Sequence, residues 1–119
     1  MDVLQPDIAI CGGLTGVGRV VTLAEIFNRP VVPHVWGSTV NFHAALHLTA
    51  TLPAYRAGAP VAFPYMEYDA GPNPLRDLAG RPQVNTDGTL SVPDGPGLGI
   101  DLHADMLKPF VTSQRVIAK

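Results

Sequence analysis

Apolar positions along this chain alternate between two kinds of run. Short, mainly apolar runs occur at "DVLQPDIAI", "PVVPHV" and "VAFPYMEYD". They read as extended, buried segments, with Pro6 better suited to a strand end or irregularity than to a strand centre. Between them the apolar residues take helical spacing. Val17, Val20, Val21, Ala24 and Phe27 form one stripe in "GVGRVVTLAEIFN", with Thr15 as the expected N-cap and Asn28 and Pro30 as the stop. In "STVNFHAALHLTATL", Ser38 or Thr39 can cap a second helix, and Ala44, Ala45, Leu48 and Leu52 supply a small-residue face. The order strand–helix–strand–helix–strand predicts parallel strands covered by helices, an α/β fold.

After Asp69 the pattern changes. Residues 70–99 are rich in Gly and Pro, with a hairpin signal at Asp87-Gly88 between Val84 and Leu90. "PDGPGLGIDL" reads as a rigid turn followed by a strand. The tail holds a short helical piece near Ala104–Leu107, stopped by Pro109. Two regions follow: residues 1–69 as the α/β part and 70–119 as a Gly/Pro-rich C-terminal segment.

Composition narrows the partners. Of 119 residues, 46% are hydrophobic and only 15% charged, and the net charge is −2 with no basic run. Nucleic acid and anionic membrane are therefore not expected partners. No apolar run reaches the length of a membrane span. The single cysteine, Cys11, excludes an internal disulfide and reads as a small buried residue. A cytoplasmic location is the expectation.

The candidate chemistry sits at the ends of the extended runs. Asp7 ends the first, His34 the second and Glu67 the third, 27 and 33 residues apart. Each separation is close to one strand–helix–strand repeat. Neighbouring parallel strands lie about 4.8 Å apart, so the three side chains are expected to converge on one rim facing a pocket. There, Asp7 is expected to accept a hydrogen bond from His34 and leave its other ring nitrogen free to move a proton. Glu67 is expected on the far side of the ring, donating a hydrogen bond to an anionic substrate oxygen. Proton abstraction beside a carboxylate suits this trio, a reaction that usually wants a divalent metal. Taken singly, each residue has a plainer reading: a turn aspartate, a strand-end histidine bonded to backbone, a solvated loop acid.

Other motifs are weaker. "CGGLTGVGRVV" has Val21 where a dinucleotide loop needs its third glycine, and no acid ends the next run, so Gly12 and Gly13 read as a tight turn. His43 and His47 share metal-ligand spacing but lack a third ligand, and read as helix-surface or interface residues. His103 has no evident partner. Trp36 could cover a ligand, although a packing role is the simpler reading.

The stretches "DVLQPDIAICGGLT", "VVPHVWGST", "YMEYD" and "VPDGPGLGIDL" together resemble the C-terminal part of the mandelate racemase/muconate lactonizing enzymes of the enolase superfamily, and most of all their acid-sugar dehydratases and sugar-lactone cycloisomerases. The resemblance implies the sixth to eighth strands of a (β/α)7β barrel of TIM type, plus a segment returning to a capping domain. It implies Asp7 and His34 as an acid/base dyad, and Glu67 as the acid that stabilises an enediolate. It also implies Mg2+ as cofactor, with ligands upstream of this chain, and a small carboxylate as substrate. On this reading the chain is a fragment, inactive alone, of an enzyme taking the α-proton of an acid sugar or its lactone. The alternative is a non-catalytic α/β association or folding unit. Open barrel edges predict homo-oligomers or other self-association.

Overall fold

The structure is a computed structural model and describes residues 2–54 and 64–117. The helices follow the predicted order. Helix α1 spans Gly13–Ile26, α2 spans Thr39–Thr51, and α3 spans Ala104–Leu107.

The extended segments do pair in parallel, but among the described residues they form two isolated bridges, Leu4 with Val31 and Asp7 with His34, rather than strands. Proline accounts for this. The Leu4 amide donates to the Pro30 carbonyl, and the Val32 and His34 amides donate to the carbonyls of Leu4 and Pro6, all at 3.0 Å. The next rung would need an N–H on residue 6, and Pro6 has none. On the other edge of the second segment, residue 33 is again proline. The following amide, that of Val35, is taken by the Glu67 carboxylate at 2.9 Å. Residues 64–69 therefore lie beside the second segment without a backbone ladder. Residues 61–63 of the third expected strand lie outside the described residues.

Helix α1 begins earlier than expected. Its N-cap is Gly12 in the left-handed region (φ 84°), with no side-chain cap, so Thr15 does not serve as one. The turn is tight. A Cβ on Gly16 would lie 1.8 Å from the Cys11 carbonyl oxygen, so only glycine allows the helix to start directly on the first segment. At the other end Asn28 takes φ 53°. The Arg29 amide donates to Ala24 O and the Asn28 amide to Glu25 O, closing a Schellman motif. Val17 and Ala24 are buried, whereas Phe27 is exposed. The closing turn carries Phe27 off the apolar stripe.

Helix α2 is capped by Ser38, whose hydroxyl accepts from the Asn41 amide at 3.3 Å. It is buried on most of its circumference. Ile8, Val17, Val35, Phe42, Ala44 and Ala45 form the main core, with Met66, Tyr68, Leu90 and Leu98 packed against it. The Gly/Pro-rich segment thus covers α2. His47 Nε2 donates to the Leu98 carbonyl at 3.1 Å, and Tyr68 OH to the Pro82 carbonyl at 3.2 Å.

The hairpin signal becomes a turn. The Gly88 amide donates to Asn85 O, the Asn85 amide donates to Thr89 O, and Gly88 has φ 83°. No strand extends from it, and the segment after Gly99 is also irregular, contrary to the strand expected there. Pro109 does not stop the tail helix outright. It sits within a 3-10 turn, Lys108–Phe110, that continues α3.

Candidate active site

The tip of the second segment carries the site. Val31 and Val35 are buried and anchor it, and the bridge between Asp7 and His34 sets two of the three predicted residues side by side. Glu67 reaches the same place from the third segment. His34 Nδ1 lies 2.6 Å from Glu67 Oε2, and the same oxygen accepts the Val35 amide. A carboxylate oxygen accepts, so Nδ1 carries the proton and Nε2 is the nitrogen free to exchange one. No described residue bonds Nε2. The His34 and Glu67 side chains are 44% and 37% exposed, so the pair stands at an open surface rather than in a closed pocket.

The expected bond from His34 to Asp7 is not formed. Asp7 is 8% exposed, and its Oδ1 turns inward, accepting the Ala9 amide at 2.7 Å and Asn41 Nδ2 at 3.4 Å. The local turn explains the choice. The Ile10 and Cys11 amides fold back onto the Asp7 carbonyl, which brings the Ala9 amide within reach of the carboxylate. Glu67 thus takes the place beside a ring nitrogen that was expected of Asp7, instead of standing on the far side of the ring.

Trp36 is 70% exposed, so of the two packing roles its simpler reading allowed, core or loop, the core is excluded. Its loop is held from below. Asn73 Nδ2 donates to the Gly37 carbonyl at 2.8 Å, and the Thr39 amide donates to Leu75 O at 3.0 Å. The segment after Glu67 is fixed by Arg76, whose side chain is 1% exposed and pairs with Asp69 Oδ2 at 2.7 Å and Asp77 Oδ1 at 3.0 Å. Its remaining donors meet the carbonyls of Asp69 and Gly71. Asn41, Asn73 and Arg76 were missed by the sequence reading. They sit outside the strand-end spacing that singled out the trio, and no periodicity marks them.

Three other expectations change. Cys11 is exposed, not buried. His43 is buried, not a surface residue, and its Nδ1 donates to the Thr39 carbonyl at 2.8 Å. His103 meets Asp101 Oδ2 at 3.1 Å on the exposed tail. Among the described residues no three His, Cys, Asp or Glu side chains converge to hold a metal ion, and no helix is long and apolar enough to cross a membrane.

Comparison with known proteins gives a consistent result. Residues 1–106 match the enolase C-terminal domain-like family. The chain is 39% identical over 111 residues to D-galactarolactone cycloisomerase of Agrobacterium fabrum, covering 92% of this chain and 29% of that protein. It is 34% identical over 111 residues to D-gluconate dehydratase of Thermoproteus tenax, covering 92% and 21%. Among solved structures, the 3,6-anhydro-D-galactonate cycloisomerase of Zobellia galactanivorans superposes with a TM-score of 0.76 at 38% identity, over 95% of this chain and 30% of that one. The chain therefore spans less than a third of the length of these relatives.

Proposed function

This chain belongs to the enolase C-terminal domain-like family, and on that premise we propose that it is the acid/base end of an enzyme that takes the α-proton from an acid sugar or a sugar-acid lactone. Dehydration and cycloisomerisation are the two outcomes this reading favours, after the D-gluconate dehydratase and D-galactarolactone cycloisomerase that it resembles. The three extended segments would be the sixth to eighth strands of the parent barrel.

The observation that carries the reading is the 2.6 Å contact between His34 Nδ1 and Glu67 Oε2, beside the backbone bridge of Asp7 to His34. In this arrangement Nε2 of His34 moves the proton. Glu67 fixes the tautomer and steadies the imidazolium that forms when Nε2 takes it. Asp7 supplies a buried negative charge at the adjacent tip, and Trp36 offers an exposed ring over which a sugar can lie. Mg2+ serves the superfamily's proton abstractions. The described residues supply no ligand set for it, and in this reading its ligands lie elsewhere in the parent protein.

The test is kinetic. In a full-length relative, replacement of the histidine matching His34 by Asn is expected to lower solvent-deuterium exchange at the substrate α-carbon by about 10²- to 10⁴-fold. Replacement of the acid matching Asp7 should lower it less. Undiminished exchange in both variants would sink the proposal.

A second reading, a non-catalytic association unit, is favoured by a separate observation. Leu23, Ile26 and Phe27 stand exposed on and beyond the last turns of α1, an apolar end that no described residue buries.

A further inference from the structure

Asn41 is buried at the third position of α2, and its side chain turns back toward the site. Nδ2 donates to the Trp36 carbonyl at 3.2 Å and to Asp7 Oδ1 at 3.4 Å. Its Oδ1 is buried with no hydrogen-bond partner. The opposite orientation would face that oxygen with a carbonyl and a carboxylate, both acceptors, so the amide can sit only one way round. A buried amide that leaves its oxygen unsatisfied is costly. Two donations from one amide, to a carbonyl and to a carboxylate, offset that cost. At a helix start, the third residue ordinarily turns an acceptor toward the N-cap amide. Here it turns a donor toward the Trp36 carbonyl and Asp7 instead.

From this we propose that Asn41 is a positioning residue for the acid/base end. It ties the Asp7 carboxylate to the 34–37 loop, so that the tips of the first and second segments keep a fixed relation. The inference rests on the reading of Asp7 as part of that end, and it adds a residue that the strand-tip spacing does not mark.

The test uses the whole chain and nuclear magnetic resonance. The Ala9 amide, bonded to Asp7 Oδ1 at 2.7 Å, reports on that carboxylate. Asn41→Leu removes the donor, and its Ala9 resonance is expected to move. Asn41→Asp places a like charge against Asp7 in the same volume, and is expected to move the resonance further. Thr49→Val, a buried change in the same helix whose hydroxyl serves Ala45 O, is expected to leave it in place. A merely structural role predicts that Leu disturbs the site at least as much as the isosteric Asp. The double variant Asp7→Asn/Asn41→Asp removes the like-charge contact while the Trp36 carbonyl still faces an acceptor, and is expected to recover part of the melting temperature lost in Asn41→Asp even if Asn41→Leu fails to fold. An unmoved Ala9 resonance in Asn41→Asp, or no recovery in the double variant, overturns the inference. Neither result touches the exchange kinetics of a full-length relative, so the two proposals fail separately.

Discussion

Arg76 secures the segment after Glu67 from one buried side chain. Its guanidinium is buried and fully bonded to two carboxylates and two carbonyls. Breaking a buried ion pair by removing one partner costs about 3–5 kcal/mol. Asp77 is 43% exposed and can return to water, so Arg76→Met is expected near the low end, about 3 kcal/mol. Against a total stability of roughly 5–15 kcal/mol for a domain, this frees residues 69–77. Hydrogen exchange on the Arg76 and Asp77 amides, both bonded to Asn73 O, would read the loss. The turn around Asp87 tunes that residue's protonation. The Thr89 hydroxyl, then the Thr89 amide, hold its carboxyl below the ordinary value of 3.8. A depressed folded value means that the turn's support is whole above that ordinary value and is lost as pH falls through the lower one. The Thr89 amide resonance is expected to hold steady on acidification to about pH 4 and to shift only below it.

At the scale of elements, the junction of the first segment with α1 separates two glycines that look alike in sequence. Gly16→Ala drives a Cβ into the Cys11 carbonyl, at 1.8 Å, whereas a Cβ on Gly18 meets nothing within 4 Å. Gly18→Ala in a helix interior should stabilise by about 0.5–1 kcal/mol. Gly16→Ala should destabilise and loosen the start of α1, and urea unfolding of the two variants checks both signs. The helices were legible because their apolar spacing and stops are local features. Asn28 and Pro30 marked the end of α1, and Ser38 the start of α2. The strands were legible only in order and direction. Pro6 and Pro33 each delete one amide from the ladder, and the sequence does not show that the Glu67 side chain takes the place of backbone pairing at Val35. The site was legible to the same depth. Repeat spacing indicated which tips would be neighbours. Which acid takes His34 Nδ1 depended on a turn at Asp7 that spacing does not encode.

For the whole molecule, the accessible surface is 8133 Å², against about 6,200 Å² for a compact monomer of this mass. The radius of gyration is 16.0 Å, against about 13.5 Å for a compact domain of this length. The excess, roughly 1,900 Å², exceeds the ~800 Å² that one partner contributes to an ordinary interface. Exposed Leu23, Ile26 and Phe27 lie in that surface, as do Val3 and Gln5 on either side of the Leu4 bridge. The chain at micromolar concentration is therefore expected to scatter light as a dimer or larger, or to need a partner to melt cooperatively. A monodisperse monomer with a sharp transition would refute this. Glu67 Oε2 both holds the third segment to the second and meets the imidazole. A descendant that abandoned turnover would still be selected to keep this glutamate for its architecture. Its survival in a lineage thus testifies to inherited shape, and says nothing by itself about whether the chemistry is still performed.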